Sequence, residues 1–287
     1  MTQDMNFHKK EASVFIPDGA PLGKALDRIT HLSIGAHQDD SEIMAFHGIL
    51  QCYGETGRWF GAVTCTDGAG SPRAGKYATL SDAEMARLRR QEQKKAAVLG
   101  DYGVLIQLNY TSAEVKEKER ENLCSDLEVV LRRTRPEAVY THNPIDKHDT
   151  HLAAAFAALA ALRRLEPREQ PRRVLGCEVW RDLDWLEDTD KVALDVSGHE
   201  NLAMALVGVY DSQVAGGKRY DLATLGRRRA NATYFQTHET DRADALWFAL
   251  DLTPLVRQPE LDVEEYVVAF LDRFRRSAVD KIRKYKF

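Results

Sequence analysis

Two short stretches of this sequence concentrate the side chains that bind metal ions or transfer protons. The first is Ala36-His37-Gln38-Asp39-Asp40-Ser41-Glu42-Ile43. His37 and Asp40 are spaced so that both can reach one ion, whereas Asp39 projects differently and stays unliganded. Nitrogen and oxygen donors of this kind suit a divalent ion of the zinc class. The structural alternative is an ordinary polar turn in which an aspartate caps a helix.

The second stretch, residues 142–151, is dense in histidine for a chain that contains nine histidines in all. Its three histidines and two aspartates are His142, His148, His151, Asp146 and Asp149. A lone histidine is usually structural, but this density beside carboxylates favours metal or proton chemistry.

The two stretches can form one metal site if they lie side by side. A catalytic zinc ion has three protein ligands and one open position. His37 and Asp40 supply two of these ligands, so the second stretch must supply the third. We choose His151 because the start of a predicted helix fixes its position. His148 is then free to act on the substrate.

The elements around the two stretches predict how they meet. Apolar runs at 32–36 and 137–141 read as β-strands, and a helical pattern follows each one. In a parallel α/β sheet, the turns that follow such strands face one crevice, where ligands bind. Strand and helix alternate through residue 165. We therefore predict an α/β fold with a mostly parallel sheet and helices on both faces.

Further elements extend this framework along the chain. Strands are predicted at 59–66, 104–109, 174–180, 192–196 and 246–252, the last of which is also compatible with a helix. Helices are predicted at 81–99, 114–133, 199–210, 222–235 and 263–275. We interpret 1–287 as one catalytic domain with a core at about 30–235. This domain would also include an N-terminal arm at 1–20 and a C-terminal helix with a basic tail at 262–287.

Composition narrows the classes of function and of partner. The net charge of −4 and the isoelectric point of about 6.2 give no reason to expect a nucleic-acid partner. No apolar stretch approaches the roughly 20 residues of a membrane span, and we find no secretory signal pattern. The four scattered cysteines suit free thiols in a reducing compartment. We expect a cytoplasmic protein that acts on a small molecule, with its state as monomer or homo-oligomer left open.

Several motifs resemble those of the PIG-L/LmbE-like deacetylases. Residues 36–43 are similar to the Ala-His-Pro-Asp-Asp-Glu signature of that family, with Gln38 in place of its proline and Ser41 in place of its glutamate. The other matching motifs, in the expected order, are Thr66-Asp67-Gly68, Arg89-x-x-Glu92, His148-Asp149-Thr150-His151 and Ser212-Gln213. The resemblance covers about residues 30–235, which is most of the chain.

The resemblance implies a Rossmann-like fold and a zinc-dependent amidase, which usually removes the acetyl group from an N-acetylated amino sugar such as N-acetylglucosamine. Carried over residue by residue, the zinc ligands are His37, Asp40 and His151. Asp39 becomes the general base and His148 the electrostatic stabiliser or acid. Asp67 and Arg89 become substrate contacts. Iron or cobalt also suits nitrogen and oxygen donors, so another divalent transition metal stays open.

The second motif departs from the family pattern, because Thr150 rather than an aspartate precedes His151. Asp146 and Asp149 are therefore both candidates for orienting His148. An aspartate beside that imidazole would raise its pKa and keep it cationic.

Three other functions are compatible with parts of this sequence. A nucleotide-binding Rossmann enzyme is disfavoured because no Gly-x-Gly-x-x-Gly follows the first strand. A metal-binding module without deacetylase activity would lack the base, whereas Asp39 is present. A related amidase that acts on a non-sugar acylated amine stays open, because variable loops build the substrate pocket.

Overall fold

The computed structural model describes residues 5–117 and 120–287. Its strands are β1 (Ser13–Phe15), β2 (Ile29–Gly35), β3 (Trp59–Thr66), β4 (Val104–Tyr110), β5 (Ala138–His142), β6 (Arg173–Cys177), β7 (Val192–Asp195) and β8 (Leu246–Asp251). Its α-helices are α1 (Leu22–Asp27), α2 (Asp40–Met44), α3 (Phe46–Cys52), α4 (Asp82–Leu99), α5 (Ser112–Lys116), α6 (Arg120–Thr134), α7 (Asp149–Arg163), α8 (Glu200–Gly208), α9 (Asp211–Val214), α10 (Tyr220–Tyr234), α11 (Thr253–Arg257) and α12 (Val263–Tyr285).

The eight strands form one sheet in the order β1-β4-β3-β2-β5-β6-β8-β7. The five central strands, from β4 to β6, run parallel, while β1, β8 and β7 pair antiparallel with their neighbours. The chain leaves β2 toward β3 and β4 on one side and leaves β5 toward β6 on the other. The carboxyl ends of β2 and β5 therefore flank a topological switch point, where α/β sheets place their ligands.

Helices cover both faces of the sheet and bury its strands. One apolar cluster packs α6 and α7 against the sheet and includes Leu32, Ile34 and Val139. The cluster on the opposite face packs α3 and α8 and includes Phe60 and Tyr140. Because successive strand side chains alternate between two buried faces, the central strands read as continuous apolar runs. The predicted α/β fold with a mostly parallel sheet is confirmed.

Local sequence signals set the ends of several helices. At the start of α4, Ser81 accepts the amide N–H of Glu84, and the Glu84 carboxylate accepts the Ser81 amide N–H at 2.8 Å. This reciprocal pair is the predicted capping box. Helix α4 ends before Gly100, as predicted. The alanine-rich segment after His151 forms α7, whose small buried side chains let the helix pack closely beneath β5.

The structure differs from the prediction at three elements and settles a fourth that the sequence left open. The segment predicted as an N-terminal arm at 1–20 contributes β1, which pairs with β4, and residues 1–4 lie outside the described part. The predicted helix at 114–133 is two helices, α5 and α6. The basic tail predicted after 275 continues as part of α12. The ambiguous segment 246–252 forms strand β8, which is buried between β6 and β7.

Candidate metal centre and active site

The turn from β2 into α2 places three side chains of the first motif. Asp39 has a φ of +90°, in the left-handed region that non-glycine residues rarely adopt. Its amide N–H donates to Gln93 Oε1 at 3.3 Å, and the amide N–H of His37 donates to Asp40 Oδ2 at 2.6 Å. The reversal at Asp39 lets two adjacent carboxylates diverge, so that Asp40 turns toward His37 while Asp39 faces the cavity described below.

A buried glutamate anchors α2 behind this turn. Glu42 accepts hydrogen bonds from Tyr102 Oη at 2.7 Å, Tyr210 Oη at 2.8 Å and Gln93 Nε2 at 3.0 Å. Burial raises the pKa of Glu42, although these donors oppose the effect. The helix that carries Asp40 is therefore held by polar contacts from three different segments of the chain.

The turn from β5 into α7 places the side chains of the second motif. His148 is the N-cap of α7, and His151 lies in its first turn. Asp146 Oδ1 accepts the amide N–H of His148 at 3.0 Å, and its Oδ2 lies 3.2 Å from His151 Nδ1. This second contact fixes the imidazole ring and directs His151 Nε2 toward the first motif. A carboxylate behind a histidine is the usual support for a metal-ligating imidazole.

His37, Asp40 and His151 converge with spacings that suit one ion. His37 Nδ1 lies 3.2 Å from His151 Nε2 and 3.6 Å from Asp40 Oδ2, and His151 Nε2 lies 3.5 Å from Asp40 Oδ1. Donors at about 2.0–2.1 Å from a tetrahedral ion lie roughly 3.3 Å from one another. The three predicted ligands therefore lie together, and their geometry fits a divalent ion of the zinc class.

The protonation states of these donors also bear on metal binding. Burial lowers the pKa of His37 to about 4, so its imidazole is neutral at pH 7. Burial alone would raise the pKa of Asp40, but His151 and His142 beside it hold that pKa well below its usual range. The pKa of His151 is raised, since Asp40 and Asp146 outweigh its burial. An ion at this site would compete with a proton on His151.

Asp39 lies beside the donor set but is not part of it. It is 4% exposed and buried beneath the cavity, and burial raises its pKa to about 8. Its Oδ2 lies 3.1 Å from Arg89 Nη2, yet accepts no hydrogen bond from the described residues. Asp39 nevertheless forms part of the cavity lining, which is the position that a general base requires.

The imidazole of His148 also lies at the cavity. Its Nδ1 accepts the amide N–H of Thr150 at 3.2 Å, which leaves the proton of the neutral ring on Nε2. Burial lowers the pKa of His148, so the predicted cation is wrong and the ring is a neutral donor. Of the two carboxylates predicted to orient it, Asp149 is exposed, and Asp146 contacts the backbone of His148 but the ring of His151.

The two predicted substrate contacts have different positions. Arg89 lines the cavity, where it donates to Ser71 Oγ and to the carbonyl oxygen of Gln38. Asp67 does not line the cavity; its carboxylate accepts the amide N–H of Ala69 at 3.0 Å. The neighbouring Gly68 lines the cavity instead, so the structure does not support the prediction that Asp67 touches the substrate.

The cavity has a volume of about 450 Å³ and includes residues that the motifs do not predict. Trp180 lies shortly after β6. Lys218 lies just before α10, and Tyr220 is the first residue of that helix. Lys218 Nζ lies 5.2 Å from the centre of the Trp180 ring, and Tyr220 contacts that ring edge-on at 6.2 Å. His142, the last residue of β5, belongs to the second motif but was assigned no role of its own; its Nε2 lies 3.1 Å from Asp40 Oδ2. Its position at a strand end was the available signal.

None of the helices in the described part of the chain is long and apolar enough to cross a membrane.

All four cysteines are buried and free, as predicted.

Solved structures of the same fold carry different activities in their names. A conserved protein of Thermus thermophilus is 20% identical, with a TM-score of 0.61 over 83% of this chain and 99% of its own. GalB, a 4-carboxy-2-hydroxymuconate hydratase of Pseudomonas putida, is 18% identical, with a TM-score of 0.58 over 78% and 95%. The N,N'-diacetylchitobiose deacetylase of Pyrococcus horikoshii is 18% identical, with a TM-score of 0.58 over 81% and 88%. At these identities the likeness establishes the fold alone.

The comparison of sequences assigns the family. No curated protein matches the chain. A family model described as GlcNAc-PI de-N-acetylase matches residues 32–192, which is more than half of the sequence and spans both motifs. The chain therefore belongs to the PIG-L family.

Proposed function

We propose that this protein is a metal-dependent hydrolase that removes an acetyl or other acyl group from the amide nitrogen of an N-acetylated amino sugar or glycoconjugate. The observation that carries the proposal is the joint arrangement of His37, Asp40 and His151. Their donor atoms lie within 4.8 Å of one another, and a further carboxylate, that of Asp39, lies at the same cavity. Membership of the PIG-L family and the deacetylase among the fold neighbours support it.

We propose zinc as the ion, held by His37, Asp40 and His151 with one position open to solvent. When bound, such an ion polarises the amide carbonyl and lowers the pKa of a water molecule. The raised pKa of Asp39 suits a group that gains a proton and then releases it near neutral pH. Asp39 takes the proton from the attacking water and returns it to the leaving amine.

His148 stabilises the negative charge that develops on the carbonyl oxygen. Because its Nδ1 accepts a backbone amide, its Nε2–H is the available donor, and it faces the cavity. A preorganised donor of this kind is worth more in a partly buried site than in water. Arg89 is paired with Asp39 and Ser71, so we assign it to positioning the base as well as to contacting the substrate.

The cavity walls suit a polar ligand with one flat face. Trp180 and Tyr220 present aromatic surface, and Gln213 and Ser71 present hydrogen-bonding groups. A sugar ring has an apolar face and a polar edge, so it matches this combination. We propose a small N-acetylated amino sugar, with a non-sugar acylated amine as the alternative, and a cytoplasmic location that fits the four buried thiols. We also propose that residues 1–287 act as one catalytic domain.

The test is release of primary amine from a panel of N-acetylated sugars by metal-loaded protein. Asp39→Asn should lower turnover at least ~100-fold, on the scale of general-base catalysis, while elemental analysis finds the metal retained. Asp126→Asn is the matched control, because it makes the same chemical change at a buried aspartate outside the cavity. It should keep turnover near that of the unmodified protein.

Full turnover by Asp39→Asn would refute the assignment of the base. Failure of the unmodified protein to release amine from any sugar, with metal bound, would overturn the sugar as substrate. The panel would then be extended to acylated amino acids and other amides, and failure there would favour a metal-binding module without deacetylase activity.

A further inference from the structure

A second cavity contains a buried arginine that lacks part of its hydrogen bonding. Arg228, on α10, is 2% exposed and lines a cavity of about 230 Å³. Its Nη2 donates to the carbonyl oxygens of Glu42 and Ile43 at 2.8 and 3.1 Å. Its Nε and Nη1 are buried without a hydrogen-bond partner among the described residues. Buried polar groups are nearly always paired, so these two nitrogens need an explanation.

The contacts of Arg228 leave its charge without a counter-ion. In the part of the chain that the structure describes, no carboxylate forms an ion pair with it. The guanidinium lies 4.3 Å from the centre of the Phe46 ring and 5.8 Å from that of Trp247. Aromatic faces stabilise a cation but do not accept its in-plane hydrogens. A buried cation in this state is costly unless an anion compensates it.

The start of α8 also lines this cavity. Gly198, His199 and Glu200 line it. His199, the N-cap residue, has a φ of +46°, and no side chain caps the helix. The amides of the first turn are therefore available, and the positive end of the helix dipole favours an anion there. Arg229 adds a second guanidinium, which pairs with Glu200 at 2.8 Å.

We propose that this cavity binds a small oxyanion, the phosphate or carboxylate group of a small molecule, between Arg228 and the N-terminus of α8. The bound group would supply the missing counter-charge beside the guanidinium, whose Nε and Nη1 themselves expose almost no surface to the cavity. The acidic residues Glu200 and Asp244 also line the cavity, so it favours a compact anion over an extended polyanion. The site shares no lining residue with the catalytic cavity and does not depend on the proposed deacetylase activity.

The test is calorimetric titration of the full chain with inorganic phosphate, with acetate as the carboxylate probe. The titration is performed on metal-loaded protein and repeated after chelation, because phosphate can also ligate a metal ion. We expect one saturable site per chain that persists after chelation. The stronger of the two probes identifies the class of oxyanion.

Three variants locate the bound ion. Ala203→Leu fills the cavity without removing a charge, and Arg228→Met removes the donors; each should weaken binding at least tenfold. Lys218→Met removes a cation from the catalytic cavity and should leave the affinity within twofold. Circular dichroism checks that each variant is folded, and Ala203→Leu decides the question if Arg228→Met does not fold. Binding that survives Ala203→Leu, binding that Lys218→Met abolishes, or no saturable binding at all would overturn the proposal.

Discussion

The buried carboxyl group of Glu178 beside the catalytic cavity predicts a measurable dependence of the free energy of unfolding on pH. Glu178 follows β6, is 1% exposed, and precedes Val179 and Trp180, which line the catalytic cavity. Its Oε2 accepts the amide N–H of Leu183 at 2.9 Å, and its Oε1 is buried without a partner among the described residues. Burial raises its pKa to about 7 from the ordinary 4.5, and the nearby Asp146 adds to the effect.

The sign and size of the effect follow from these two pKa values. A carboxyl group whose pKa is higher in the folded state holds its proton more tightly there, so folding is favoured below pH 4.5. That contribution is lost as the pH rises through about 7. The difference between the two values corresponds to roughly 3 kcal/mol, or about 5 °C in melting temperature for a chain of this size.

Glu178→Gln removes the titration while keeping the shape and the acceptor for Leu183. We expect the variant to gain roughly 3 kcal/mol over the unmodified protein between pH 4.5 and pH 8, because only the unmodified protein must ionise a buried group. Urea unfolding at several pH values, with the same metal content throughout, gives the difference in free energy of unfolding. Taking the difference cancels the other titrating groups.

An exposed glutamate provides the matched control for Glu178→Gln. Glu166→Gln makes the same change at an exposed position and should stay within about 0.5 kcal/mol at every pH. A free-energy difference for Glu178→Gln that is flat from pH 4.5 to pH 8 would show that burial does not hold this carboxyl group protonated.

Two further predictions concern the support of the site. Asp146→Asn should weaken zinc binding 10–100-fold, since it removes the carboxylate behind His151; unchanged affinity in a competitive chelator titration would contradict this role. Gly68→Ala should destabilise the fold by about 2 kcal/mol, because a Cβ at its φ of +72° would lie 2.2 Å from Gln38 Oε1. In a Gln38→Ala background the contact with Gln38 is absent and only a tight approach to Arg89 Cδ at 3.1 Å remains, so urea unfolding should show a loss nearer to the roughly 1 kcal/mol of backbone cost. An equal loss in both backgrounds would exclude the clash with Gln38.

The sequence predicts the central sheet, and the proximity of the three proposed metal ligands, because both depend on local patterns. Apolar runs that end abruptly at polar residues mark the carboxyl ends of β2 and β5, and parallel strands bring those ends together. His37, Asp40 and His151 need only short turns and one helix start to converge. The same reasoning missed β1, because three half-buried residues carry too little pattern to identify an edge strand.

Other parts of the site depend on contacts that local patterns do not contain. Trp180 and Lys218 reach the cavity from segments far apart in sequence, and only the packing of α10 against the sheet brings them together. Spacing alone left Asp146 and Asp149 as candidates for orienting His148 and did not indicate that Asp146 contacts the ring of His151. The structure decides it, because the first turn of α7 directs Nδ1 of His151 toward Asp146.

The backbone conformation of Asp39 connects these observations. Two adjacent carboxylates on a regular helix would point about 100° apart around its axis, which would not by itself separate a ligand from a base. The left-handed conformation at Asp39 separates them, and such a conformation costs of order 1–3 kcal/mol. The Gln93 contact and the anchoring of α2 through Glu42 offset part of that cost. The strain is therefore located where the carboxylates of the proposed base and the proposed ligand diverge, which is the arrangement that the proposed function requires.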